Sequence, residues 1–290
     1  MSLYVFILVA VSATLHVFWN LLVKQSAEKV SFAWLTSLAG TLVLAPIFVT
    51  YRLVDPGPLS LEILGWAALS GLFEALYVVF LFAAYGKADL SVVYPLSRGV
   101  APVFTLLLGS ALVGDRVDGR HLLWLALVVC GVVFVAVSIK SQAEGRWQSG
   151  DLLWPLATGA MIAAYHLVDR RAMSLAVAPN PVEYLFLMHF FLAMYVTAWA
   201  LWRNPRQGLW AEWRLNRKSV VIVGICTPMA YLLIMLALRL GNVTYVAAGR
   251  NVGIVVSTLV GGLYLKEKVG PLRILGGLVI MIGVAALVAD

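Results

Sequence analysis

Charge is what this 290-residue chain has least of. Asp, Glu, Lys and Arg make up 12% of it, hydrophobic residues 62%, and the mean hydropathy is +0.94. Soluble domains carry about 25% charged residues, so a soluble enzyme, a secreted module and a disordered chain are excluded. Most of the length must lie in lipid. Cysteine is scarce: Cys130 and Cys226 each sit in an apolar run, which gives no disulfide framework and no zinc spacing. The four histidines, His16, His121, His166 and His189, fall in four separate segments. No HExxH, GxSxG, phosphate-loop or GxGxxG context occurs. No cofactor, metal or enzymatic chemistry is therefore expected, and no ATP motif exists to drive a pump. The net charge is +7. In so apolar a chain that excess marks cytoplasmic loops and not a nucleic-acid partner.

Long hydrophobic runs are what the chain has. A spanning helix needs roughly 20 mostly apolar residues, and ten such runs stand at about 3–23, 31–52, 61–84, 90–113, 121–139, 152–172, 182–202, 218–239, 243–265 and 271–289. The first has no basic start and no small-residue cleavage site, so it reads as a permanent helix. The longest polar connection, about 203–217, carries four arginines with Trp202, Trp210 and Trp213, which suits an interfacial segment. Loops after odd-numbered spans hold about 13 Lys and Arg against about 6 in the others. The positive-inside rule then puts both termini outside the cytoplasm, an assignment that rests mainly on the loop between spans 7 and 8.

The chain also repeats itself. Residues 98–132 align without gaps on 250–284, with 9 of 35 positions identical, among them Arg98/Arg250, Gly109/Gly261 and Gly131/Gly283. Asp115-Arg116 matches Glu267-Lys268 in charge. At an offset of 146, Ser12, Trp19, Asn20 and Lys24 fall on Thr158, Tyr165, His166 and Arg170. Two five-helix halves follow, 1–140 and 151–290. Five is odd, so the second half enters the membrane upside down. The fold class is an all-α polytopic membrane protein with ten transmembrane helices in two inverted five-helix repeats. Such repeats are a transporter signature, with the site near the midplane at the repeat interface.

The run YGKADLSVVYPLSRGVAP at 85–102, followed by LLLGSALVGDRV, resembles the EamA branch of the drug/metabolite transporter superfamily. So do ALRLGNVTYVAAGRNVGIVVSTLVGGLYLKEKVG in the second half and LHVFWNLLVKQSAEK near the start. The resemblance covers essentially the whole chain as two EamA repeats. It is specific for the superfamily and poor for the substrate. It implies a carrier of small metabolites; members export amino acids, and relatives carry sugar phosphates, nucleotide sugars or choline. The DLSVVYPLSRG wording is also similar to permeases associated with phosphonate use, a link of little weight. One departure is Asp115, where the family has Glu at the end of the fourth helix; an acid there still caps or pairs at the membrane surface.

Candidate residues follow from the cost of polar groups at membrane depth. Glu74 reads as the only carboxylate well inside a span. It lies ~16 Å from the surface at which span 3 ends, and Arg98 lies ~12 Å in from the same surface, so the two can meet. The plain alternative is a structural ion pair. Tyr77 shares a helix face with Glu74, and a carboxylate beside an aromatic ring holds an ammonium by charge and cation–π attraction. Ser12, His16, Trp19 and Asn20 share one face of span 1; His16 is either a proton carrier or a neutral ring bonded to a helix carbonyl. Thr158, Tyr165 and His166 are the partial counterpart in span 6. Tyr94 and Arg98 open span 4, and Arg250 with Asn251 lies in span 9; the arginines suit an anionic group or a gate. Pro95 and Pro102 bend span 4. Tyr231 and Met235 give span 8 an inward face. His189 reads as structural, and glycines such as Gly109 and Gly276 as packing residues. The cavity is expected between spans 1, 3, 4, 6, 8 and 9, with spans 5 and 10 peripheral.

These residues point to a secondary transporter of a small polar metabolite, amine-bearing or zwitterionic, working by alternating access in the inner (plasma) membrane. Its partners would be a small-molecule substrate, the lipid bilayer and protons as coupling ion, with the chain a monomer or homodimer. The rivals are an aromatic amino-acid exporter, a lipid flippase or a channel, and, last, a membrane-embedded enzyme.

Overall fold

The computed structural model describes residues 2–87, 90–112, 118–140, 153–203, 208–264, 266 and 270–289. The Asp115-Arg116 and Glu267-Lys268 doublets lie outside them, as does the side chain of His121. The described residues form eleven helical segments and no strand: α1 Leu3–Gln25, α2 Lys29–Val54, α3 Leu61–Lys87, α4 Leu90–Leu112, α5 Gly119–Lys140, α6 Leu153–Met173, α7 Pro181–Arg203, α8 Ala211–Leu240, α9 Val243–Gly249, α10 Val252–Leu263 and α11 Pro271–Ala289. These are ten spans, because α9 and α10 are the two parts of the ninth. By length and composition α1, α2, α3, α7, α8 and α9–α10 qualify as membrane-crossing, and α4, α5 and α11 contain shorter apolar stretches. Span α6 is set apart by its His166, Asp169, Arg170 and Arg171. Leu42, Leu107, Leu123, Leu278 and Ile282 are exposed, which in this chain means facing hydrocarbon.

Two boundaries differ from the sequence reading. The polar connection before span 8 is helical from Ala211, joined to the span through a kink at Asn216 (φ −136°, ψ 36°). The cause is a buried acid at its start. Glu212 accepts from the Glu28 backbone N–H (2.5 Å) and from Asn216 Nδ2 (2.7 Å), while its own N–H donates to Ser31 Oγ (3.1 Å). Trp210 and Trp213 stay exposed beside it. The second difference is the break in span 9. Span 4, with Pro95 and Pro102 inside it, runs as one helix, whereas the proline-free ninth span is interrupted at Arg250-Asn251. The local bonds there tighten to a three-residue spacing, Gly253 N–H to Arg250 O (3.1 Å) and Ile254 N–H to Asn251 O (2.8 Å).

Packing follows a two-fold pattern. Helix α1 packs on α8 as α6 packs on α3; α2 packs on α8 as α7 packs on α3; α2 meets α7, and α5 meets α11. Residue contacts obey the same exchange. A Cβ on Gly131 would lie 2.7 Å from both the Gly276 oxygen and Ile280 Cγ1; one on Gly283 would lie 3.0 Å from the Trp124 oxygen and 2.8 Å from Val128 Cγ2. A shift of 152 residues carries Gly131 to Gly283, Trp124 to Gly276 and Val128 to Ile280, so each contact is the image of the other, as a two-fold interface requires. Small residues let the backbones meet without a hydrophobic driving force between helices in lipid. A cation closes a helix end in each half as well: Lys24 Nζ in α1 donates to the Tyr85 oxygen of α3 (3.2 Å), and Arg170 Nη1 in α6 donates to the Leu238 oxygen of α8 (2.8 Å). Orphan carbonyls and the negative end of the helix dipole favour a cation at both places.

The α5–α11 contact sits at the edge of the bundle, and it tolerates no side chain at its glycines. Gly276→Leu is expected to overpack it by about 1–3 kcal/mol and lower the melting temperature in detergent. Gly119→Ala, whose Cβ would meet nothing within 4 Å, should leave it unchanged. Equal melting temperatures for the two variants would contradict the close approach.

Candidate functional site

The interior brings both halves onto one guanidinium. Arg250, 2% exposed at the break of span 9, donates from Nη2 to His16 Nε2 of α1 (3.0 Å) and from Nη1 to His166 Nε2 of α6. A guanidinium only donates, so both Nε2 atoms must be bare acceptors and both rings neutral. The tautomer of His16 is fixed from behind: Nδ1–H donates to the Ser12 carbonyl (2.8 Å). Ser12 Oγ in turn donates to the Ala230 oxygen of α8 (2.7 Å), which ties α1 to the opposite half. His166 Nδ1 has no hydrogen-bond partner among the described residues.

Beside this bracket lies a carboxylate the sequence reading passed over. Glu74 is not the only acid deep in a span: Asp169 of α6 is 0% exposed, with Tyr184 OH donating to Oδ1 (3.0 Å) and Tyr231 OH to Oδ2. It stands next to Arg170 and Arg171 in α6. The signal was its spacing of three from His166, which puts both on one helix face. Tyr165 joins these groups into an aromatic cluster, with centroid distances of 5.8 Å to Tyr77, 5.6 Å to Tyr231 and 4.7 Å to His166; the His166 and Tyr231 rings are stacked within 5° of parallel.

Glu74 opens instead into a small cavity of about 40 Å³. Its walls come from α1 (Trp19, Val23), α2 (Thr36, Ser37), α3 (Glu74, Tyr77, Phe82), α7 (His189, Leu192) and α8 (Thr227, Pro228). This void thus takes walls from α2 and α7 as well as from α1, α3 and α8, while α1, α6 and the ninth span meet at Arg250. His189, read as structural, faces this void. Glu74 Oε2, Trp19 Nε1 and His189 Nε2 have no hydrogen-bond partner among the described residues, and each residue is at most 5% exposed. A water needs roughly 10–15 Å³ of such space, so the void has room for a few waters and not for an organic metabolite.

The remaining candidates divide. Arg98 is buried, stacked over the Tyr94 ring at 5.4 Å, and neither Nη atom has a partner among the described residues. The close approach of Glu74 and Arg98 that depth suggested does not produce an ion pair. Asn251 is fully buried with both amide atoms unpartnered among the described residues. Asn20 is a clamp: Nδ2 donates to the His16 oxygen (2.6 Å) and Oδ1 accepts from Tyr85 OH (2.6 Å). Tyr231 and Met235 both face inward. Because Asp169 takes one hydroxyl on each oxygen, Asp169→Asn sets an amide N–H against a phenol. It should destabilise the protein by about 1–3 kcal/mol, and Tyr184→Phe should recover part of that loss in a double-mutant cycle; an Asn variant melting with the wild type would contradict the arrangement.

Comparison with known proteins bears on what this interior belongs to. A solved crystal structure, of a protein 17% identical, superposes with a TM-score of 0.70 over 98% of this chain and 97% of that one. At that identity the likeness shows the fold alone. No curated protein matches. Residues 1–137 and 149–289 each match the EamA-like transporter family. The chain belongs to that family, as a polytopic membrane transporter of the drug/metabolite superfamily.

Proposed function

We propose that the chain is a secondary carrier for a small zwitterionic metabolite, amino-acid-like, moved across the inner (plasma) membrane by alternating access between 1–140 and 151–290. One observation carries the reading: a buried acid, Glu74, and a buried base, Arg98, occupy one bundle, and each presents atoms without a partner among the described residues. Charges at membrane depth are costly unless something answers them. A molecule with an ammonium at one end and a carboxylate at the other answers both. Glu74 takes the ammonium, with Tyr77 and Trp19 supplying aromatic walls. Arg98, over Tyr94, takes the anionic end. Asn251, Tyr165 and Tyr231 line the space between, and Asn20 holds α1 in place. The edge-on contacts of Tyr165 with Tyr77 and Tyr231 favour a narrower second reading, an aromatic amino acid as the substrate. The chain works as a monomer or homodimer, with the bilayer and protons as its other partners.

The test is counterflow in proteoliposomes. Labelled amino acids, the amines made by decarboxylating them and the acids made by deaminating them are compared. Amino acids should exchange fastest. Glu74→Gln, with detergent elution unchanged, should cut amino-acid exchange about tenfold or more, equivalent to ~1.4 kcal/mol. Arg98→Gln should erase the preference for amino acid over amine. Full exchange by Glu74→Gln would move the ammonium site elsewhere, and no counterflow by the wild type would defeat the carrier reading.

A further inference from the structure

The geometry points to His16 Nε2 as the coupling-proton site, at which a proton and Arg250 exclude one another. The inference rests on the carrier reading above and adds which atom takes the proton and what its arrival moves. Arg250 offers only donors, so it stays in its bracket only while both Nε2 atoms are bare. A proton on His16 Nε2 sets N–H against N–H and one cation against another in a buried place. Arg250 must then leave, and Arg250 sits between α9 and α10, where the backbone bonds tighten to a three-residue spacing.

The two rings are not equivalent. Protonated His16 keeps its Nδ1–H bond to the Ser12 carbonyl, which becomes charge-assisted and stronger. Protonated His166 gains no such bond, because its Nδ1–H, already present in the neutral ring, has no partner among the described residues. His16 is therefore the carrier and His166 the second jaw that holds Arg250. The surrounding groups support an exchange and not a permanent charge. Arg98 and Tyr94 of α4, Glu74 and Tyr77 of α3, Tyr165 of α6 and Tyr231 of α8 lie within electrostatic reach of Arg250, and Arg98 and His166 within reach of His16. Asp169 of α6, which accepts from Tyr231 OH, lies within electrostatic reach of Glu74. The proton comes from water on one side, forms one N–H bond, and returns to water on the other side; nothing else is made or broken.

The experiment separates coupling from exchange. Proteoliposomes are given a mixture of labelled natural L-amino acids, once as counterflow without a pH gradient and once as accumulation driven by one. Gln in place of His16 still accepts from Arg250 and takes no proton. His16→Gln should keep counterflow and lose gradient-driven accumulation down to the level without a gradient; His166→Gln should keep both driven and exchange transport above that level. A second readout needs no transport. The Trp19 ring lies 5.9 Å from that of His16, and an imidazolium quenches indole. The fluorescence difference between wild type and Trp19→Phe should show a step on lowering pH that His16→Gln removes. Driven accumulation by His16→Gln at the wild-type level, or a fluorescence step that survives the substitution, would overturn the assignment. A wild type with counterflow but no response to the gradient would overturn it too, while leaving the carrier reading intact.

Discussion

A guanidinium in the middle of a bilayer, held by two neutral rings and no carboxylate, sets terms for much of this interior. Arg250 carries only donors and is buried, so whatever holds it must supply acceptors. Imidazole nitrogens do so only in one protonation state. That requirement runs outward through the structure. His16 must be turned by the Ser12 carbonyl, Ser12 must be anchored on α8, and His166 must arrive on α6 from the other half. Three spans from two repeats are thereby committed to one point, and their opposite faces are left to leucine and isoleucine in lipid.

The repeat explains most of the remaining packing, and its main failure is informative. Gly131 with Gly276, and Gly283 with Trp124, are images of one another, as are the cation caps at Lys24 and Arg170. Yet Arg98 lies in an unbroken helix and Arg250 at a break. The residue after each arginine differs. Gly99 packs so tightly that a Cβ would come within 2.3 Å of Val132. Its counterpart is Asn251, which carries a side chain. A helix that cannot press as close at that residue gives way there. Helix α4 nevertheless stays one element with Pro95 and Pro102 inside it.

Much of this was legible in one dimension, and what was not has physical reasons. The offset of 152 residues showed in the sequence because paired arginines and glycines mark positions where apolar substitution fails. Ten hydrophobic runs were visible because each must span the same thickness. The aromatic and polar face of α1 was visible because helical periodicity gathers it. Asp169 was not, because its helix carries two arginines next to it, and the tyrosines that bury it come from α7 and α8. His189 was not, because one histidine in an apolar helix has no periodicity to place it, and the void it faces is built by five helices. The break of span 9 was hidden for the same reason: the close contact that α4 makes through Gly99 is a tertiary fact.

The separation of Glu74 from Arg98 is the last point the energetics bear on. On the insertion scale each ionised side chain at a helix centre costs roughly 2.5–3.5 kcal/mol. A direct pair would have recovered part of that at no conformational expense, since both helices return from one surface. The structure instead puts Glu74 in a void with Trp19 and His189 and lays Arg98 on Tyr94. A salt bridge would close each charge to anything else. Left apart, the two charges define a direction across the bundle, from an acid bordered by α1, α2 and α7 to a base in α4. A void of about 40 Å³ admits only water at the acid's end. Filling it with an organic ammonium requires helices of the two halves to part, and a ligand that answers both charges is one whose binding energy grows with that movement.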